Sequence, residues 1–331
     1  SSGTERLFSA PPTDFVHART ADDRQYLPAT PHGYVVLYKD HNTRVRISPY
    51  LQLHHDLGCA SKPAMDYAVL HQRSSLSKHL QNSLPKDTSK LTYHCARCAV
   101  ANNRRPPRPP ARSEPRPFDS PSVGRTWFFD TKYIKVLSNT DKRFVIGFVC
   151  ANSSYAYTAN VTHKDAIYDV LDSFCTHLVT SVVFPHITFD ALRTTVFISD
   201  RAGEFMGAGF EQIRAKYNFI QKHGAAYKHS DLGPIESFWN RTERRVRSFY
   251  ALAPWLPHTT WPLAWDHAVW LHNRTANVHV NIVRPPPLTC ATDAPADLAH
   301  ALPFGSLVIC HNAVEAPART KSELGKMAPR G

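Results

Sequence analysis

Residues 101–125 read A-N-N-R-R-P-P-R-P-P-A-R-S-E-P-R-P-F-D-S-P-S-V-G-R, and no other stretch restricts the fold as strongly. Proline at this density removes backbone donors and clashes with a preceding helical turn. The segment therefore enters neither a helix interior nor a central strand and runs as an extended, polyproline-like spacer. It divides a chain of 331 residues, long enough for two or three domains, into separate parts. Its arginines, Arg104, Arg105 and Arg108 among them, have two readings: contacts along a phosphate backbone, or a solvated linker.

The formal charge of +12 and the concentration of basic residues in particular segments favour a polyanionic partner, nucleic acid first. No apolar stretch reaches membrane-spanning length, so a soluble, intracellular protein without a membrane partner is expected. The opening Ser-Ser-Gly reads as an expression scar or as an internal cut from a longer polypeptide. Seven cysteines in a chain of this length do not suggest a secreted disulfide scaffold, and reduced thiols follow.

Residues 1–50 form an N-terminal extension with one strand-like run, Gly33 to Tyr38. A small β-arm or the remnant of an upstream domain both fit it. Residues 51–100 carry L-H-H-D-L-G-C and, after a largely helical stretch, Y-H-C-A-R-C. One histidine, His54 or His55, with Cys59, Cys95 and Cys98 supplies four borderline or soft ligands at a spacing that suits tetrahedral zinc, and zinc would staple a region poor in large apolar residues. The alternative is a set of ordinary buried cysteines beside exposed histidines.

Residues 126–280 open with three aromatic and β-branched runs, T-W-F-F-D-T-K-Y, R-F-V-I-G-F-V-C and S-Y-A-Y-T-A-N, the pattern of an antiparallel meander. An amphipathic helix follows over residues 166–179, then a strand at Thr195 to Ile198 ending in Asp200. A helix at 207–220, a short strand at Ala225 to Tyr227 and a helix through Glu236 complete the order β-β-β-α-β-α-β-α, an α/β domain with a mixed sheet. In such a sheet the first and fourth strands can be neighbours, which sets Asp130 beside Asp200. An Asp inside an apolar strand run argues for a metal site; the alternative is an Asp at a strand edge facing water. Residues 281–331 are a C-terminal extension.

At these residues the chain resembles the integrase of copia-type LTR retrotransposons, within the retroviral integrase family of ribonuclease H-like DDE transferases. S-D-R-A-G-E-F resembles that family's S-D-N-G-G-E-F, and G-P-I-E-S-F-W-N-R-T resembles its N-G-V-A-E-R-x-N-R-T. W-P-L-A-W-D-H-A-V-W-L-H-N-R-T and P-F-G-S-L-V-I-C-H resemble the segments that follow in the family, the second opening a small β domain. The zinc pattern resembles the H-H-C-C module, with Cys59 in place of the second His. Arg201 and Ala202 stand where the family has Asn and Gly, and Lys228 to Leu232 replace a loop rich in Thr, Pro, Gln and Asn.

The resemblance implies a ribonuclease H-like core with a mixed five-stranded sheet flanked by helices, preceded by a small helical zinc module. It implies a catalytic triad of Asp130, Asp200 and Glu236 holding magnesium or manganese, with metal-dependent 3′-end processing and strand transfer of element DNA into target DNA. It also implies a homo-oligomer acting in the nucleus. On the helix beyond Glu236, Arg241, Arg244, Arg245 and Arg247 are candidates to grip phosphates. Arg201 and the altered loop favour a different outcome, an integrase-derived DNA-binding protein without catalysis.

Overall fold

The computed structural model describes residues 48–93, 95, 98, 101, 122–200, 205–224, 232–279 and 282–306, and the backbone of three short strands nearer the N-terminus. Those strands, β1 (Arg24–Tyr26), β2 (Val35–Tyr38) and β3 (Arg44–Arg46), form an antiparallel sheet in sequence order. Three short helices follow: α1 (Pro49–Asp56), α2 (Lys62–His71) and α3 (Lys78–Ser83). Ser48 caps the first, its Oγ accepting from the Leu51 N–H at 3.2 Å, with Pro49 in the first turn where its missing donor costs nothing.

Beyond the spacer, β4 (Thr126–Tyr133), β5 (Phe144–Cys150) and β6 (Ala156–Val161) make the expected meander. Helix α4 (Ile167–Thr180) crosses to β7 (Val196–Ser199), and α5 (Ala208–Tyr217) crosses to β8 (Ile220–His223). The sheet order is β6-β5-β4-β7-β8, with β7 and β8 parallel to β4 and the first three strands antiparallel. Helices α6 (Gly233–Leu252) and α7 (Trp261–Arg274) pack on the other face. This is the ribonuclease H-like core with a mixed five-stranded sheet. A hairpin of β9 (Asn277–His279) and β10 (Ile282–Arg284) and a short helix, α8 (Pro287–Thr292), close the described chain.

The fifth strand departs from the expectation. It falls at 220–223, between the helix expected over 207–220 and the strand expected at 225–227, and residues 225–227 lie outside the described residues. Asn218 adopts the left-handed conformation (φ 54°) and ends α5 early. The strand beyond it, I-Q-K-H, is an edge strand with no fully buried residue, so it leaves no apolar run to read.

Strand alternation sorts the core into two layers. Trp127, Phe129, Ile146, Phe148 and Phe197 point to the α4/α5 side, where Phe148 stacks on Phe174 with ring centres 4.1 Å apart. Phe128, Val145, Val149 and Ile198 point to the other side and meet Ile235, Phe238, Trp239 and Trp265. Leu53, Leu57, Met65 and Leu80 of the N-terminal helices belong to this second layer. The helical module is thus fused to the core, and Gln72 Nε2 donates to the carbonyls of Arg274 (3.1 Å) and Ala296 (3.0 Å). Among the described residues no helix is long and apolar enough to cross a membrane.

Candidate functional site

The N-terminal cysteines and histidine meet. After α1 the chain turns back through Gly58 (φ 65°) and Cys59 (φ 59°), two successive left-handed residues, with the Cys59 N–H donating to the His54 carbonyl at 2.7 Å. A non-glycine residue in that conformation is strained and is held only where the surroundings fix it. Here the turn delivers the Cys59 thiol to Cys95, Cys98 and His54, whose ligand atoms all lie within 4.8 Å of one another. His54 Nδ1–H donates to the Ala60 carbonyl at 2.8 Å, which leaves the Nε2 lone pair facing Cys98 Sγ at 3.1 Å. Fixing one ring nitrogen in this way sets the tautomer a zinc ligand needs. The borderline and soft donors of this cluster of one histidine and three cysteines fit zinc. His55 Nε2 lies 3.5 Å from Cys95 Sγ, and of the two histidines it is His54 that falls in the four-residue group. Hydrogen bonds from Cys59 and then Cys98 push the Cys95 thiol down, while donating to Cys95 and Cys98 and burial push Cys59 up. Zinc binding must therefore release protons.

The carboxylates are placed by the sheet. The parallel pairing of Phe128 with Ile198, continued by two residues, sets Asp130 on β4 level with Asp200 just beyond β7. Both positions continue the face that packs on α6. Asp130 Oδ2 accepts from Trp239 Nε1–H at 2.9 Å, and Oδ1 from the Thr131 N–H at 2.7 Å. Burial pushes the Asp130 carboxyl up; the Trp239 and Thr131 hydrogen bonds pull it down, and the neighbouring Asp200 charge pushes it up again. Glu236 stands exposed in the first turn of α6, one turn before Trp239, where the helix dipole favours a negative charge. Among the described residues the His54 group is the one set of three or more ligands gathered within 4.8 Å; the three carboxylates are not drawn together in that way. Arg201 and the loop through Asp231 lie outside the described residues, as do Arg104, Arg105 and Arg108.

Helix α6 also sorts its arginines. Arg244 and Arg247 are exposed and share a stripe with Glu236 and Asn240, and Arg241 is half-buried. Arg245 turns inward: its guanidinium donates to the Ala268 carbonyl (3.1 Å) and Thr275 Oγ1 (3.2 Å), and burial lowers its pKa to about 10, helped by the Arg241 charge. A cavity of about 350 Å³ between α6 and the zinc loop is lined by Cys59, Arg241, Arg244, Arg245 and Ser248.

Two features escaped the sequence reading. Lys132, on the same face as Asp130, pairs with Glu243 of α6 at 2.7 Å. Gly147, directly across β5 from Asp130, leaves room for the Trp239 ring. An isolated glycine in an apolar strand run, R-F-V-I-G-F-V-C, is the available signal of such a close approach.

No family model and no curated protein sequence matches the chain. Solved structures with a similar fold include a chain of the simian T-cell lymphotropic virus intasome in complex with PP2A regulatory subunit B56 gamma (13% identity, TM-score 0.42). That alignment covers 56% of this chain and 61% of the simian one. They also include the HTLV-2 integrase catalytic core domain in complex with magnesium. Its dimeric form is 14% identical over 50% of this chain and 97% of that one (TM-score 0.36). Its trimeric form is 15% identical over 49% and 93% (TM-score 0.36). At these scores the ribonuclease H-like description rests on the strand order and crossovers of this chain itself.

Proposed function

We propose that this chain is an integrase-type polynucleotidyl transferase of the copia-type retrotransposon class, processing the 3′ ends of element DNA and joining them to target DNA. One observation carries the reading: Asp130, within β4, and Asp200, just beyond β7, lie level on neighbouring parallel strands, on the face covered by the helix that carries Glu236. Three carboxylates form an all-oxygen donor set suited to a hard cation, and the Asp200 charge already felt at Asp130 is relieved when a cation lies between them. Magnesium or manganese held there supplies Lewis-acid stabilisation and an activated water or hydroxyl.

The chain's own residues orient the DNA. Glu236 to Arg247 spans about 16 Å along one stripe of α6 at 1.5 Å per residue. A backbone gripped by Arg244 and Arg247 is thereby led toward the carboxylates. Arg241 and the spacer arginines extend the basic track, whereas Arg245 serves as a tie between α6 and α7. Homo-oligomers acting in the nucleus on two DNA ends belong to this proposal.

The test is a strand-transfer assay with magnesium or manganese on matched terminal DNA. Transfer is expected from the wild type and not from Asp200→Asn. Arg244→Ala with Arg247→Ala should flatten the log–log salt slope of duplex binding by about 0.9 per lost contact. DNA binding without transfer in the wild type would sink the enzyme reading.

A further inference from the structure

The Asp130 carboxylate is held by a device built across two strands and a helix. In the β4–β5 register Asp130 faces Gly147 directly. A Cβ at Gly147 would overlap the six-membered ring of Trp239, lying 2.9 Å from its Cζ2 and 3.1 Å from its Cζ3. The ring is only 4% exposed and is backed by Trp265, with centres 5.8 Å apart. Lodged over the bare glycine, it delivers Nε1–H to Asp130 Oδ2 at 2.9 Å while the Thr131 N–H holds Oδ1 at 2.7 Å. One donor on each oxygen fixes the plane of the carboxylate, and each oxygen keeps acceptor capacity.

We propose that Trp239 is a positioning residue for the cation site, acting through Asp130, and that Gly147 exists to admit it. The inference rests on the proposed role of Asp130 as a metal ligand. Trp239 lies one turn beyond Glu236, so the same helix that offers one carboxylate orients another. Groups that orient metal ligands in this way typically change metal affinity by about 10–100-fold when removed.

The test measures manganese affinity of the full, zinc-loaded chain by the electron paramagnetic resonance of free manganese, well below the melting transition. Asp130→Asn serves as the reference. Trp239→Phe keeps most of the packing and removes the donor, and should weaken manganese binding about tenfold. Gly147→Ala keeps Trp239 but displaces its ring, and should weaken binding similarly. In the Trp239→Phe background, Gly147→Ala should add little, because the bond it breaks is already gone. A purely structural role would lower thermal stability in each variant and leave manganese affinity alone, which would overturn the inference while Asp130→Asn still lost binding. A wild type indistinguishable from Asp130→Asn would instead overturn the metal reading of Asp130, and this inference with it.

Discussion

Two sets of ligand-type side chains are built against one helix, α6, and they are assembled on opposite principles. The His54, Cys59, Cys95 and Cys98 ligand atoms lie within 4.8 Å of one another, whereas among the described residues Asp130, Asp200 and Glu236 form no such cluster. A thiol is neutral and can donate to its neighbour, so three thiols and an imidazole satisfy one another at close range. Ionised carboxylates have nothing to donate and repel. The first site is accordingly made by local chain geometry, with two left-handed residues and a tethered imidazole. The second is made by the register of remote elements, with the Trp239 indole as the only side-chain donor recorded on Asp130 among the described residues. In the proposed reading the first group serves the fold, and the second is positioned by it.

The largest expected effect falls on the thiol site. The purified protein should hold one zinc per chain, and Cys95→Ser should lose it. Leu53, Leu57 and Met65 share a hydrophobic layer with Phe238, Phe249 and Trp265. Loss of zinc is therefore expected to lower one cooperative melting transition rather than release a separate early one. A cost on the order of 5 kcal/mol or more is a fraction of the roughly 10–16 kcal/mol that structural zinc supplies in finger peptides. A metal-free protein with the wild-type melting curve would remove the distinction between the two sites.

A smaller effect tests whether the layer joining the sites is as dry as its packing implies. His272 sits beneath α6, 4% exposed, its Nε2–H donating to the Ser154 carbonyl at 2.9 Å. Burial, then the Arg241 charge, hold its pKa down at about 3. The unfolded chain binds a proton there near pH 6.5 and the folded chain does not. Its contribution is therefore fully present above about pH 6.5 and is lost as pH falls toward the folded value, by roughly 2 kcal/mol at pH 5. Stability curves of the wild type and His272→Gln, both zinc-loaded, should converge as pH drops from 7 to 5. Parallel curves would mean that water reaches the imidazole.

How far these sites were legible follows from what each is made of. The cysteine and histidine group was legible because a C-x2-C pair, and an H-H shortly before Cys59, are chemical rarities in local sequence. Which of the two histidines the fold brings to the cysteines was not legible; it is His54, with its ring tethered at Ala60. The meander and the crossover helix were legible from aromatic runs and helical spacing, and the β4–β7 pairing that sets Asp130 beside Asp200 was a topological expectation. The edge strand at 220–223 was not, because an exposed strand carries polar residues. Nor was the inward turn of Arg245, since the letters of a basic helix do not say which arginine meets a carbonyl across the next helix. The pairing of Gly147 with Trp239 is a contact between residues far apart in sequence, and only its glycine half leaves a local trace.

The smallest expected change is also the sharpest on the comparison, and it concerns Glu236→Gln. Glu236 is exposed, lies in the first turn of α6, and fills no part of the buried layers. Removing its charge forfeits a favourable helix-dipole interaction of about 0.3–1 kcal/mol and relieves repulsion from the other carboxylates of similar size. In magnesium-free buffer the melting curve should therefore barely move. Magnesium should separate the two proteins. A cation bound only by the folded state stabilises by RT ln(1 + [L]/Kd), about 2.7 kcal/mol at a hundred times Kd, so the wild type should gain stability steadily with magnesium. The variant, having lost one of three carboxylate ligands, should gain little over the same range and should support no strand transfer. Equal stabilisation of both proteins would place the cation away from Glu236 and overturn its role as a ligand. A large loss in the metal-free variant would instead make Glu236 part of the folding apparatus, and the division between a site that builds the fold and a site that the fold builds would no longer hold.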